Sequence, residues 1–243
     1  MADGRLIVHL KSVGFRYEGG KELLNDLSFR LFEGDRIGLV GDNGSGKTTL
    51  LHLIVGLIKP QAGEISIFNR PVKTEKDFRE VRKRVGLLFQ NSDDQLFCPT
   101  VLEDVAFGPL NLGRTADEAR EIAQRTLQRL GLSGFEDRVT LRLSGGEKRI
   151  VALATLLSMD PELLLLDEPS SGLDEYSRNR LSEILEGLDL SYVIVSHEYD
   201  FLVRNTERVY ELKDRRIDDN GDSAELHSHF HTHPVGLVPH SHT

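Results

Sequence analysis

The stretch Gly41-Asp-Asn-Gly-Ser-Gly-Lys-Thr48 constrains this chain more than any other. Glycines at 41, 44 and 46 let the backbone curl so that successive N–H groups point into one hollow, which the positive end of a following helix also faces. An apolar run, Ile37, Leu39 and Val40, precedes the loop, and Lys47 to Leu57 has a helical pattern ended by Lys59-Pro60 and Gly63. Strand, glycine loop and helix in that order are the setting a phosphate-cradling loop requires. Gly41, Asp42, Asn43, Gly44, Ser45 and Gly46 then form the cradle. Lys47 reaches the β- and γ-phosphates as a point charge, and the Thr48 hydroxyl, with Thr49 beside it, ligates Mg2+.

The rest of the chain is organised around that loop. Runs rich in β-branched and aromatic residues at Leu6 to Leu10, Val13 to Tyr17, Leu27 to Phe32 and Arg36 to Val40 predict an antiparallel sheet leading into the nucleotide-binding strand. A further strand is expected at Glu64 to Phe68. Residues 91–158 read as mainly helical, with amphipathic segments from Thr115 to Leu130 and Glu147 to Ser158, and form a candidate inserted subdomain. Buried-strand runs return at Leu163 to Leu166 and Tyr192 to Val195 around a helix from Glu175 to Leu188, the alternation of a parallel sheet. The boundaries are one domain over 1–217 and a flexible, histidine-rich tail over 218–243, with no internal repeat.

Leu163 to Leu166 run into Asp167-Glu168-Pro169, two carboxylates at the end of a buried strand. Alone, that is an ordinary strand end. Next to a phosphate loop, Asp167 is suited to Mg2+, directly or through water, and Glu168 to orienting the attacking water. Upstream, Leu143-Ser-Gly-Gly-Glu-Lys-Arg149 places two bare glycines behind a serine at a helix start, where backbone N–H groups can take an anion.

These three motifs in this order closely resemble the ATP-binding cassette (ABC) family. The fold the resemblance implies is an α/β P-loop NTPase cassette: a RecA-like core of mixed and parallel sheet, an antiparallel β subdomain and an inserted α-helical subdomain. It also implies that Ser144, Gly145 and Gly146 contact the γ-phosphate of ATP bound to the opposite subunit, so one chain cannot complete its own site. Tyr17 sits where the family keeps an aromatic that stacks on adenine. Gln90, ending Val85-Gly-Leu-Leu-Phe-Gln90, resembles the glutamine at the junction with the helical subdomain, which touches Mg2+ and the attacking water. Asp174, in Ser171-Gly-Leu-Asp174, resembles the carboxylate of the loop between the two active sites, and His197 matches the switch histidine at the γ-phosphate. The implied activity is ATP hydrolysis, carried by Glu168, His197, Lys47 and Gln90. Two departures stand out: Glu147 where many members have Gln, and Glu175 where Pro is frequent.

Gln90 to Pro109 is more specific, resembling the corresponding loop of energy-coupling-factor ATPases, including the cobalt and nickel importers. That resemblance implies a homodimer, or a heterodimer with a paralogue, on an integral-membrane coupling subunit with a substrate-binding membrane subunit. Asp94 to Thr100 is the candidate docking surface. Import of a vitamin or another small solute, and a soluble ABC ATPase outside transport, stay open.

No apolar run approaches the ~18 residues of a membrane span, and the first residues do not read as a secretory signal. The expectation is a protein on the cytoplasmic face of the membrane, held there by protein partners. Net charge of -9 argues against nucleic acid or anionic lipid as the partner. One cysteine, Cys98, excludes an intrachain disulfide and reads as a small apolar loop residue. In the tail, His227, His229, His231 and His233 alternate, with His240 and His242 beyond. Neutral imidazoles at that spacing suit Ni2+, Co2+, Zn2+ or Cu2+.

Overall fold

The computed structural model describes residues 4–222, with the backbone alone for 218–222. Two sheets share the work. The first is antiparallel: β1 (Leu6–Arg16), β2 (Glu22–Phe32), β4 (Ala62–Ile67) and β5 (Arg70–Pro71), in the order β2-β1-β4-β5. The second has the order β10-β9-β3-β8-β7-β6. Its members are β3 (Arg36–Val40), β6 (Val85–Leu88), β7 (Leu163–Asp167), β8 (Ser191–Val195), β9 (Arg208–Lys213) and β10 (Arg216–Asp222). From β9 to β6 all neighbours run parallel, and β10 closes one edge antiparallel to β9.

Seven helices complete the described chain: α1 (Lys47–Val55), α2 (Glu75–Val81), α3 (Val101–Asn111), α4 (Ala116–Arg129), α5 (Gly145–Leu157), α6 (Glu175–Glu186) and α7 (Tyr199–Asn205). Among the described residues no helix is long and apolar enough to cross a membrane.

The parallel strands are buried on both faces, which is why they read as unbroken apolar runs. In β7, Leu163 and Leu165 enter the core shared with the antiparallel sheet and α1, while Leu164 and Leu166 enter the core shared with α3 to α6. Strand β8 divides likewise, Val193 and Val195 to one side and Tyr192 and Ile194 to the other. Because these strands are parallel, the carboxyl ends of β3, β6, β7 and β8 lie along one edge of the sheet. That edge is where open α/β sheets bind ligands.

The helical segment predicted over 91–158 contains α3, α4 and α5. Each opens on a reciprocal capping box: Thr100 with Glu103, Thr115 with Glu118, Ser144 with Glu147.

Two expectations are corrected and one helix is added. The runs Leu6 to Leu10 and Val13 to Tyr17 form the single strand β1, whose register against β2 shifts between Leu10 and Val13, where Ser12 has φ 50°. Helix α2 was not read, although Thr74 and Asp77 make a capping box of their own. The polar stretch from Asp218, assigned to the tail, supplies β10 through Asp222, because an edge strand needs only its backbone to pair with β9. The six tail histidines lie outside the described residues.

Glu162, just before β7, ties the layers together. It accepts from Arg84, just before β6, and from Arg5, just before β1. The Arg84 guanidinium lies 3.6 Å from the Phe68 ring centroid. The Arg84 and Arg5 hydrogen bonds hold the Glu162 carboxyl below the ordinary range. A depressed folded-state value contributes stability above the unfolded value, and that contribution is lost as pH falls through the folded one. With the carboxylate about one-third exposed, screening leaves about 1 kcal/mol. Urea unfolding of Glu162→Gln should show that loss at pH 7, shrinking below pH ~4 as the wild-type carboxylate protonates.

Candidate functional site

The glycine loop leaves β3 and enters α1 in a shape only glycine can take. Gly41 has φ 149°, and a Cβ there would lie 2.5 Å from the Leu212 carbonyl oxygen. Gly46, at φ 111°, caps α1 with no side chain of its own. Lys47 is folded back across this loop: Nζ donates to the carbonyls of Gly41 at 2.7 Å and Asp42 at 3.0 Å. Burial lowers the Lys47 pKa, opposed by the charges of Glu168, Asp167 and Asp42.

Thr48 Oγ1 donates to Asp167 Oδ2 at 2.7 Å, so the helix start and the end of β7 meet. The other oxygen, Asp167 Oδ1, is buried without a hydrogen-bond partner. A hydroxyl and a buried carboxylate oxygen with spare lone pairs form a donor set suited to a hard divalent cation such as Mg2+. Without such a cation, burial raises the Asp167 pKa against the opposing Thr48 hydrogen bond.

Glu168 is 9% exposed and has φ 48°. Its N–H donates to Val195 O at 2.9 Å, locking the turn after β7 to the end of β8. One carboxylate oxygen then lies 3.3 Å from Nε2 of His197, which follows β8. Burial raises the Glu168 pKa, with His197 the largest opposing influence. A largely buried carboxylate beside an imidazole is placed to accept a proton from water.

These groups line one cleft of about 600 Å³. Its phosphate-loop wall is Asn43, Gly44, Gly46, Lys47, Thr48 and Thr49, and its far wall is Gln90, Asp167, Glu168 and His197. Tyr17 stands at the rim, half exposed, its hydroxyl 3.1 Å from Thr49 Oγ1 and its ring edge-on to Phe15. Gly41 and Asp42 line a smaller adjoining hollow with His197, and the Ser45 hydroxyl is buried without a hydrogen-bond partner.

Ser144, Gly145, Gly146 and Asp174 are not in the cleft. Ser144 caps α5: its N–H donates to Glu147 Oε2 at 2.8 Å, while its hydroxyl accepts from the Glu147 N–H at 3.3 Å. The Ser144 N–H bond holds the Glu147 carboxyl low, and Arg138 pairs with it at 3.0 Å. Asp174 caps α6, accepting from Ser177 N at 2.7 Å, which lowers its pKa. Gly145 faces open space, whereas a Cβ on Gly146 would meet Ser177 Oγ at 2.1 Å.

Residues 24–171 match the ABC transporter family. This chain belongs to that family. A protein of Nitratidesulfovibrio vulgaris, named without a substrate as a candidate ABC transporter ATP-binding protein, is 47% identical over 240 residues, covering 98% of this chain and 87% of that one. The energy-coupling factor transporter ATP-binding protein EcfA of Methanocaldococcus jannaschii is 40% identical over 230 residues, covering 93% and 82%. The solved structure of cbiO1 from Clostridium perfringens, described as part of the ABC transporter complex cbiONQ, superposes with a TM-score of 0.82. It is 31% identical, with 93% of this chain and 92% of that one covered. The ABC cassette described here is accordingly an ATP-binding, ATP-hydrolysing subunit of an ABC transporter.

Sequence reasoning missed Ser171 and Glu198, which also line the cleft. It also missed Arg149, which is 5% exposed on α5 and donates to the carbonyls of Phe89 and Gln90. A charged residue directly before the apolar run of Ile150 to Leu157 was its only mark.

Proposed function

We propose that two copies of this cassette, or this chain and a close paralogue, hold two ATP and Mg2+ between the phosphate loop of one and the signature segment of the other, and thereby drive an energy-coupling-factor importer of cobalt or nickel. The observation that carries the two-copy reading is the incomplete cleft. It gathers Lys47, Thr48, Gln90, Asp167, Glu168 and His197 but leaves out Ser144 to Gly146, which stand at the start of α5 with Gly145 facing open space.

In this reading the loop N–H groups from Gly41 to Gly46 and the Lys47 ammonium bind the β- and γ-phosphates. Thr48 and Asp167, with Gln90, would hold Mg2+, which when bound neutralises phosphate charge. Glu168 orients the attacking water and takes its proton, and His197 donates to the γ-phosphate from beside it. Tyr17 stacks on the adenine from the rim. Ser144, Gly145 and Gly146 complete the partner's site, and Asp174 lies in the loop between the two.

The membrane-facing contact falls on the helical subdomain. Phe97 is 65% exposed and meets the half-exposed Phe107 edge to face at 4.8 Å, an apolar pair between Asp94 and the end of α3. It is suited to a helix of the membrane coupling subunit, which would hold the protein at the cytoplasmic face. Cys98 beside it has its thiol pushed up to about 11 by burial and by Asp104, so it stays protonated and unreactive at neutral pH.

The metal assignment rests on the resemblance of Gln90 to Pro109 to cobalt and nickel importers together with the alternating tail histidines. No cluster of His, Cys, Asp or Glu able to hold a metal occurs among the described residues, which leaves the tail as the candidate. Calorimetric titration of Ni2+, Co2+ and Zn2+ into the full chain and into a truncation after Asp222 tests it. Tight Ni2+ or Co2+ binding should vanish on truncation and weaken below pH ~6.5 as the imidazoles protonate. Absence of binding, or binding unchanged at pH 5, would remove the tail from metal handling and turn the substrate towards a vitamin or another small solute.

A further inference from the structure

Arg149 is buried, yet among the described residues no carboxylate lies within ion-pair distance of it. Its partners are carbonyl oxygens: Nη1 donates to Phe89 O at 2.7 Å and Nη2 to Gln90 O at 2.6 Å. Burial pulls its pKa down and only the charge of Asp167 opposes that pull. A cation stripped of water and given only neutral acceptors is an expensive way to fill space. An apolar side chain of the same volume would pack at least as well.

A second side chain reinforces the tie. Gln95 donates from Nε2 to Ala152 O at 2.8 Å and to Thr155 Oγ1 at 3.0 Å, and its Oε1 accepts from Phe89 N at 3.3 Å. Phe89 and Gln90, the chain leaving β6 at the cleft, are therefore fastened to α5 through both N–H and C=O groups. The same helix begins at Ser144-Gly145-Gly146. One rigid element thus carries the signature segment at one end and its grip on Gln90 a turn further along.

We infer that Arg149 is a positioning residue, setting where Gln90 sits in this chain's own cleft according to where α5 sits against the partner copy's nucleotide. This rests on the two-copy reading and on the role given to Gln90. Movement of α5 on closure carries the Gln90 backbone with it, so engagement of one site adjusts the other.

The test is a double-mutant cycle on the full-length dimer with Arg149→Met, Gln90→Ala and the pair, reading kcat, ATP affinity and the Mg2+ dependence of turnover. Arg149→Met should keep ATP affinity within about threefold, lower kcat about tenfold and shift the Mg2+ dependence. Arg149→Lys, which keeps the charge but lacks the planar fork that reaches both carbonyls, should recover part of the loss. The pair should turn over no more slowly than Gln90→Ala alone. Losses that multiply in the pair, or a kcat unchanged in Arg149→Met, would overturn the inference while leaving Gln90 its role. Full turnover in Gln90→Ala would remove that role and the inference with it. Should Arg149→Met not fold, the same cycle with Arg149→Lys decides by the same criterion.

Discussion

Replacing Glu168 with Gln should lower ATP turnover by about 10²–10⁴-fold while the protein accumulates as an ATP-bound dimer. The amide keeps the shape and occupies the same turn, whose backbone is fixed by Glu168 N to Val195 O, but it cannot accept a proton from water. Nothing else in the cleft substitutes for it. Asp167 is engaged by Thr48, and His197 is a neighbour of the same carboxylate, its Nε2 3.3 Å from Glu168 Oε1. Binding is spared because the phosphate cradle is built from the Gly41 to Lys47 backbone, not from this carboxylate. Size-exclusion chromatography in ATP, alongside phosphate release, reads both halves. Wild-type turnover in the variant would take the base role away from Glu168, and a monomer in ATP would count against the two-copy site.

Lys47→Ala should act at the earlier step, weakening ATP binding by about a hundredfold, the size expected from losing charge-assisted bonds to two phosphates. The ammonium has a second duty without nucleotide. By donating to Gly41 and Asp42 it holds together the two ends of a loop whose N–H groups repel one another electrostatically. Removing it subtracts the attraction and loosens the cradle. Equilibrium binding of a fluorescent ATP analogue measures the effect, and retained affinity would take the lysine out of phosphate recognition. The two variants separate cleanly: one binds without turning over, the other fails to bind.

The phosphate loop was legible because its chemistry is local, written in eight consecutive residues. Asp167 and Glu168 were legible once set beside that loop, whereas Gln90 and His197 were legible only through the resemblance, since these groups are far apart in the chain and meet because β6, β7 and β8 are parallel neighbours. Nothing in Val85 to Leu88 or Ser191 to Val195 states that order. Short elements escaped for a related reason. Strand β10 is polar and pairs by backbone alone, while α2 and α7 are two turns each, too brief for a periodic signal. Arg149 escaped because a charge within a helix normally reads as a solvated face, and only the folded chain shows it pointing at carbonyls.

The close approach of Gly146 and Ser177 has a consequence for how such a protein can diverge. At position 146 a methyl group is barred by this chain's own α6, independently of any nucleotide brought by a partner. A duplicated copy drifting towards a degenerate second site therefore cannot change its signature glycine first. Position 177 must shrink beforehand, to glycine or a residue turned aside, and with it goes the neighbourhood of Asp174. A change at the signature glycine of a paralogous copy would then be accompanied by a change at the start of α6.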